Sequence, residues 1–307
     1  MIIAVLGILK SGAGYGPIDN DTPLERLNHL VNETKSKILF TDSKIVSKHS
    51  LGINLPLQCI SLDSDWDEIS TFSSLKPNVE LKESNLAVIL YTSGSTGTPK
   101  GVQLSHQSLV NRLIWDTKTY QHCAKDIVLQ HASLAFDFSI LEIFMALGNG
   151  GKLILARSDF QYESFYLIDL IQTEKITKMG SVPSLLKSYI DLPAFKQCTS
   201  LKYVFLGGEA LSKNLQDMFF KNSSAELVNI YGPTEAAISV LNWTCKRKGN
   251  ETIIPIGMPV DNITIYLLDE NKKIVASDEI GEIYIAGVGV GIGYYNVTDH
   301  FRPFLTA

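Results

Sequence analysis

Apolar residues recur along the chain with two different periods. Leu24, Leu27, Leu30 and Val31 fall on one helical face. Just ahead of them, Asp21-Thr22-Pro23-Leu24-Glu25 forms a helix start, with Thr22 as cap, Pro23 at the first helical position and Glu25 closing a capping box. Ile38 to Thr41 is a short buried strand. Ile140 to Leu147 is helical and stops at Gly148, Gly150 and Gly151, and Lys152 to Ala156 is a strand. Phe165 to Ile171 is an apolar helix. Lys202 to Leu206 is a strand ending in Gly207-Gly208, Ser212 caps the next helix, and Leu227 to Ile230 is another strand. This alternation predicts an α/β fold with a mostly parallel sheet. Later, Ile263 to Leu268 and Glu282 to Ala286 read as strands around the turn-rich Asp269-Glu270-Asn271. The expected organisation is an α/β core over residues 1–240 and a β-rich subdomain over residues 241–307.

Composition narrows the class. Of 307 residues, 45% are hydrophobic and 19% charged, an ordinary globular balance. The net charge of −5 argues against general nucleic-acid binding, so an anionic ligand must be held by local geometry. Cys59, Cys123, Cys198 and Cys245 are widely spaced, with no CxxC pair, and are expected to be reduced core residues of a cytoplasmic protein. The apolar start MIIAVLGIL is too short to span a membrane and has no basic flank before it. Asn-x-Ser/Thr triplets such as Asn32-Glu33-Thr34 are read as chance.

The most informative segment is LAVILYTSGSTGTPKG, from Leu86 to Gly101. Leu86 to Tyr91 is a strand that opens into a Ser/Thr/Gly run. Glycines such as Gly94 and Gly97 let backbone amides approach an anion closely. The hydroxyls of Thr92, Ser93, Ser95 and Thr96 add donors, and Lys100 adds a cation. This chemistry suits a triphosphate. It is not a Walker loop, which needs glycine directly before the lysine, where Pro99 stands. A plain Ser/Gly turn is the competing reading.

This segment resembles the signature loop of the adenylate-forming superfamily: acyl-CoA synthetases, luciferases and the adenylation domains of nonribosomal peptide synthetases. Other segments match in the same order. ILKSGAGYGPID, from Ile8 to Asp19, is a helix end, a glycine turn and a strand start. Phe136-Asp137-Phe138-Ser139 resembles the start of an amino-acid pocket. Leu206-Gly207-Gly208-Glu209-Ala210 and Asn229-Ile230-Tyr231-Gly232-Pro233-Thr234-Glu235 follow strands. IPIGMPVDNITIYLLD, from Ile254, and GEIYIAGVGVGIGYYN, from Gly281, match later strands. The glycines of the last segment do not complete a dinucleotide fingerprint, because Ile292 or Tyr294 stands where its third glycine belongs.

The resemblance implies a role for each residue. ATP would be bound by Thr92, Ser93, Gly94, Ser95, Thr96, Gly97 and Lys100, with Gly208 and Glu209 beside the adenine, Tyr231 stacked on it, and Thr234 near the phosphates. Glu235 and Thr234 would serve Mg2+, a hard ion that takes one or two carboxylates plus phosphate oxygens. The amino-acid pocket would comprise Asp137, Phe138, Leu141, Gly180, Phe205, Gly207, Ile230, Ile238 and Ser239. Asp137 would hold the substrate ammonium through a charge-assisted contact. Read alone, Asp137 is equally a helix cap, Gly207-Gly208 an ordinary turn, and Tyr231 and Glu235 a core ring and a surface acid. The pocket lining is apolar apart from Asp137 and Ser239, which points to a hydrophobic amino acid.

The activity implied is ATP-dependent formation of an aminoacyl adenylate with release of pyrophosphate. The acyl group would pass to phosphopantetheine on a partner carrier domain, in an assembly line that also holds condensation domains. Two alternatives stand beside it: a carboxylate–CoA ligase, and a nucleotide-binding remnant without turnover. The resemblance leads one to expect further family segments on both sides, including a ribose-binding aspartate and a mobile C-terminal domain with its lysine. Neither is assignable to these residues, so the stretch alone is expected to be inactive.

Overall fold

The computed structural model describes residues 1–49, 57–92 and 99–296. The chain forms two compact units. One is built on Met1–His106, with Gly293–Tyr294 returning to it; the other is built on Gln107–Ile292.

In the first unit, helix α1 (Ile2–Lys10) is followed by a turn in which Gly12 takes a left-handed φ of 83°. Tyr15 then bridges Val88 in parallel, with its amide on the Ala87 carbonyl at 3.1 Å. This is the helix end, glycine turn and strand start expected of Ile8 to Asp19. Helix α2 (Leu24–Thr34) buries Leu27, Leu30 and Val31 as the spacing predicts, while Leu24 is exposed. The start of α2 differs from expectation. Pro23 itself stands at the N-cap with extended ψ, and no side chain caps the helix, so Thr22 and Glu25 form no capping box. The fixed φ of proline suits either position, and the helix begins one residue later. Strands β1 (Ile38–Thr41) and β2 (Gln58–Ser61) pair in parallel, with helix α3 (Ser43–His49) between them. Leu27 and Val31 pack there against Leu39, Ile45 and Cys59. The short helix α4 (Trp66–Ile69) follows. Strands β3 (Leu86–Thr92), β4 (Lys100–Ser105) and β14 (Gly293–Tyr294) complete a second, antiparallel sheet in the order β14-β4-β3.

In the second unit, β5 (Ile127–Gln130), β6 (Lys152–Leu155), β7 (Lys178–Ser181), β8 (Tyr203–Leu206) and β9 (Glu226–Tyr231) are parallel. β10 (Leu241–Thr244) and β11 (Met258–Pro259) extend them antiparallel, giving the order β11-β10-β9-β8-β7-β5-β6. The fold is thus α/β with a mostly parallel central sheet, as the alternation predicts. The sheet runs on past residue 240, so the expected boundary there is not a break in it. The β-rich part beyond holds the antiparallel pair β12 (Ile263–Leu268) and β13 (Glu282–Gly287).

The two faces of this sheet have different chemistry. On one face Leu129, Met179, Val204, Leu206 and Leu227 meet helices α7 (Ser164–Thr173), α8 (Pro183–Tyr189) and α9 (Lys213–Asn222) in the main apolar core. Ser212 caps α9 as expected, accepting from the Leu215 amide at 3.2 Å. The opposite face carries the alternate residues Lys178 and Gly180, Tyr203 and Phe205, and Ile230. Helix α5 (His106–Thr119) serves that face, with Tyr120 just beyond it edge-on to Phe205 at 4.9 Å.

All four cysteines are free, but only Cys198 and Cys245 are buried; Cys123 is exposed because it lies in the turn before β5. Among the described residues, no helix is long and apolar enough to cross a membrane.

Candidate functional site

Ligands of open parallel sheets bind outside the carboxyl ends of the strands. In the second unit the expected pocket residues gather at such an end. Gly180 and Phe205 are directly opposed on β7 and β8. Gly207, two residues beyond Phe205, shares its face; a β-carbon there would lie 2.8 Å from the Ile230 side chain on β9. The ring of Phe138, first residue of helix α6 (Phe138–Leu147), occupies the space where a side chain at 180 would stand. Leu141, one turn on, is fully buried. Behind Gly180, the buried His131 lies with Nε2 2.6 Å from the Gly180 carbonyl. A carbonyl only accepts, so Nε2 carries the proton. Burial lowers the pKa of His131, which keeps the ring neutral.

Asp137 stands at the N-cap position of α6 in a helical conformation, and its side chain does not make the usual cap bond further into the helix. Loss of solvation pushes its carboxyl up to about 6. The Thr234 side chain and the Phe138 amide pull it down, and the charge of Glu235 raises it further. Among the described residues, no cationic side chain forms an ion pair with Asp137. A carboxylate in this state gains most from a cation brought by a ligand.

The strand-end turns contribute the other groups. Gly208 adopts φ 80°, a conformation that disfavours any side chain there. Glu209 reaches α8, where its carboxylate accepts from the Ser184 amide at 2.9 Å and the Ser184 hydroxyl at 2.7 Å. Tyr231 ends β9 with its side chain partly exposed. Thr234 and Glu235 lie in a single 3-10 turn, Thr234–Ala236, whose Glu235 carbonyl accepts from Gly291. Among the described residues, no three His, Cys, Asp or Glu side chains converge into a metal cage. Glu235 with the Thr234 hydroxyl fits the smaller protein share that Mg2+ takes when phosphate oxygens supply the rest.

Ser239, expected as the second polar group of the pocket, has its hydroxyl engaged from behind: Arg112 Nε donates to it at 2.9 Å. Ile238 is buried and takes a left-handed φ of 77°.

In the first unit, Thr92 and Lys100 are opposed in register on β3 and β4. The Ser/Gly segment therefore links two antiparallel strands. A Walker loop leads from a strand into a helix, so this geometry excludes it independently of Pro99. Ser93, Gly94, Ser95, Thr96 and Gly97 lie outside the described residues. Lys100 Nζ is 5.2 Å from the centre of the Tyr294 ring.

The sequence profile of the AMP-binding enzyme family matches residues 1–295. This chain belongs to the AMP-binding enzyme family. Among its relatives, tyrocidine synthase 3 of Brevibacillus parabrevis is 37% identical over 295 residues, covering 96% of this chain and 4% of the synthase. The phosphinothricin tripeptide synthetase PhsB of Streptomyces viridochromogenes is 36% identical over 310 residues, covering 97% of this chain and 25% of that protein. The chain thus spans a small part of these relatives. A solved four-domain nonribosomal peptide synthetase, bound to AMP and glycine, superposes with a TM-score of 0.81 at 26% identity, over 98% of this chain and 21% of that one.

Within this AMP-binding fold, one group of residues escaped the sequence reading. Beside Ser239, Arg112 pairs with Asp116 at 2.6 Å on the same helix. Nearby, Lys178 Nζ contacts Asp126 at 2.7 Å, the Tyr120 carbonyl at 3.0 Å and His122 Nδ1 at 2.7 Å. Burial, and then the Lys178 charge, push His122 down to about 3, so its neutral Nδ1 accepts from the lysine. The i,i+4 spacing of Arg112 and Asp116 was the available signal, but such pairs are usually solvent-exposed.

Proposed function

We propose that this chain is the nucleotide- and substrate-binding part of an adenylation domain that activates an amino acid with ATP, forming the aminoacyl adenylate and releasing pyrophosphate. The observation that carries the reading is Asp137. It is a desolvated carboxylate whose partners are the Thr234 side chain and the Phe138 amide, and it pairs with no cation among the described residues. A substrate α-ammonium supplies the missing charge. Phe138, Leu141, Phe205, Ile230 and Ile238 would give the proposed pocket apolar walls that select by shape, so we infer a hydrophobic amino acid. Such walls separate side chains differing by a methylene by only about 1–3 kcal/mol.

The chemistry asks for position and charge more than for a covalent nucleophile. The substrate carboxylate attacks the α-phosphorus of ATP, the bond to the β-phosphate oxygen breaks, and pyrophosphate leaves with the electron pair. Asp137 fixes the ammonium end of the substrate. Thr92, Lys100 and the Ser/Gly segment between them, residues 93–97 included, bind phosphate. Tyr231, Gly208 and Glu209 flank the adenine. The strand-turn position of Gly208 supports this, while the bonds from Glu209 to Ser184 make that carboxylate a fixed wall. Glu235 and Thr234 would hold Mg2+, which supplies charge neutralisation on the phosphates.

The names of the relatives support a place in nonribosomal peptide synthesis, and we infer a cytoplasmic protein from its unpaired cysteines. In that synthesis, carrier-bound phosphopantetheine would take the acyl group and condensation domains would extend it. The test is ATP–pyrophosphate exchange by the full-length protein across a panel of amino acids. Exchange driven by apolar amino acids supports the reading. Exchange driven only by acids that lack an amino group would replace it with a carboxylate–CoA ligase.

A further inference from the structure

We propose that Arg112, which the pocket assignment does not include, is a positioning residue for substrate selection, acting through Ser239 on the wall formed by Ile238 and Ser239. The inference rests on the amino-acid-activating reading above. Arg112 is 1% exposed, and its planar fork is filled on three sides. Nε donates to Ser239 Oγ at 2.9 Å, Nη2 donates to Asn242 Oδ1 at 3.2 Å, and Nη1 lies 2.6 Å from Asp116 Oδ1. The guanidinium also stacks over Trp115, 5.0 Å from the ring centre. A rigid fork so held fixes the position of whatever it grips.

What it grips is a wall with little intrinsic preference for its shape. Ala237 and Ile238 are consecutive left-handed residues, at φ 55° and 77°. For the β-branched Ile238 this conformation is unfavourable and persists only where the surroundings over-determine it. One backbone bond closes a tight turn around Ile238, Ser239 N donating to Ala237 O at 2.9 Å, and another ties the far end of the segment to β9, Val240 N donating to Tyr231 O at 2.9 Å. On another side the wall abuts Gly232, where a β-carbon would come 2.5 Å from Ser239 Cα. The described side-chain bond to this segment comes from Arg112. A shift of the fork therefore moves Ser239 and, with it, the buried Ile238 side chain that shapes the apolar wall.

The experiment compares the full-length wild type with Arg112→Lys and Asn242→Ala in pyrophosphate exchange. The readout is the ratio of kcat/KM for two apolar amino acids differing by one methylene, alongside KM for ATP. Arg112→Lys keeps the charge facing Asp116 and removes the fork. Asn242→Ala loosens the fork without substituting Ser239 or any residue of the proposed pocket. We expect the ratio to change about tenfold in Arg112→Lys and in the same direction, less strongly, in Asn242→Ala, with KM for ATP within about twofold. The double variant should change no more than Arg112→Lys alone, because both act through one contact. A ratio unchanged in both folded variants, with only the melting temperature lowered, overturns the positioning role and makes Arg112 a core-stability residue. If Arg112→Lys does not fold, Asn242→Ala alone decides between these outcomes. If the wild type shows no amino-acid-dependent exchange, the functional reading fails and takes this inference with it.

Discussion

The ring of Phe138 lies against Gly180, where any β-carbon would overlap its Cε1 edge. The two residues sit on different elements, the start of α6 and the end of β7. Each fixes the space left for the other, so Gly180 lacks a side chain because Phe138 uses that volume. Gly180→Ala must push the ring toward the pocket or distort β7. Overpacking of this kind costs about 1–3 kcal/mol. The expected outcome is a lower melting temperature and a higher KM for the amino acid, with KM for ATP little changed. Adding Phe138→Leu should recover much of the lost stability, which thermal melts of the single and double variants measure.

Glu142, fully buried on α6, accepts from the amides of His131 and Ala132 at 3.2 and 3.1 Å. Burial nevertheless pushes its carboxyl up to about 8, from an ordinary value of 4.5. The folded protein therefore holds a proton that the unfolded chain releases. Between about pH 4.5 and 8 the folded state binds more protons, so this group's contribution to stability is fully present below that window and is lost as pH rises through it. Glu142→Gln keeps an acceptor and removes the titration. The wild type should lose melting temperature relative to Glu142→Gln between pH 5 and 9, by about 2–4 °C for each kcal/mol involved. Parallel curves for the two proteins would refute the assignment.

Lys100 opens β4 opposite Thr92. If it meets ATP phosphate, Lys100→Ala should lower kcat/KM for ATP by about 10²–10³, as removal of a transition-state donor does. KM for the amino acid should stay near the wild-type value. Steady-state exchange with each substrate varied in turn separates this from a general loss of fold.

Glu235 shares its short turn with Thr234. Glu235→Gln preserves shape and removes the charge that would face Mg2+. The concentration of Mg2+ giving half-maximal exchange should rise several-fold. An unchanged titration would make Glu235 structural. The same change removes a charge that raises the Asp137 carboxyl, so the low-pH limb of activity should move slightly downward.

Much of this architecture was legible because local signals and tertiary demands agree. The strand Ile38–Thr41, the cap at Ser212 and the alternation from α6 to β9 all follow from periodicity and turn chemistry, although Ile38–Thr41 is half-exposed and not the buried strand expected, because it belongs to a sheet of only two strands. The candidate site residues Asp137, Gly180 and Gly207 were legible only through the family resemblance, since a lone acid or a glycine by itself reads as a cap or a turn. Two things were not legible. The hairpin made by β3 and β4 was hidden because polar Lys100 and Gln103 obscure the alternation of a strand paired on both sides. The buried pairs Arg112–Asp116 and Lys178–Asp126 were hidden because charged residues in isolation read as surface, and only packing shows them buried. The shift at Pro23 is smaller: Thr22 and Glu25 carry capping chemistry, but the cap position falls on Pro23, so Thr22 lies outside the helix and Glu25 is its second residue.

The central claim is that Asp137 pairs with a substrate ammonium. Burial pushes its carboxyl up to about 6, and only the charged form attracts a cation. Amino-acid affinity should therefore weaken as pH falls through about 6. The direct measurement is pyrophosphate exchange with the preferred amino acid and with the same acid lacking its amino group, in the wild type and in Asp137→Asn. The account predicts that the wild type favours the amino acid by about 10²-fold or more in kcat/KM, since an unpaired buried charge costs about 2–5 kcal/mol. It further predicts that Asp137→Asn abolishes most of that preference. Equal use of the two acids by the wild type, or a preference that survives Asp137→Asn, would contradict it.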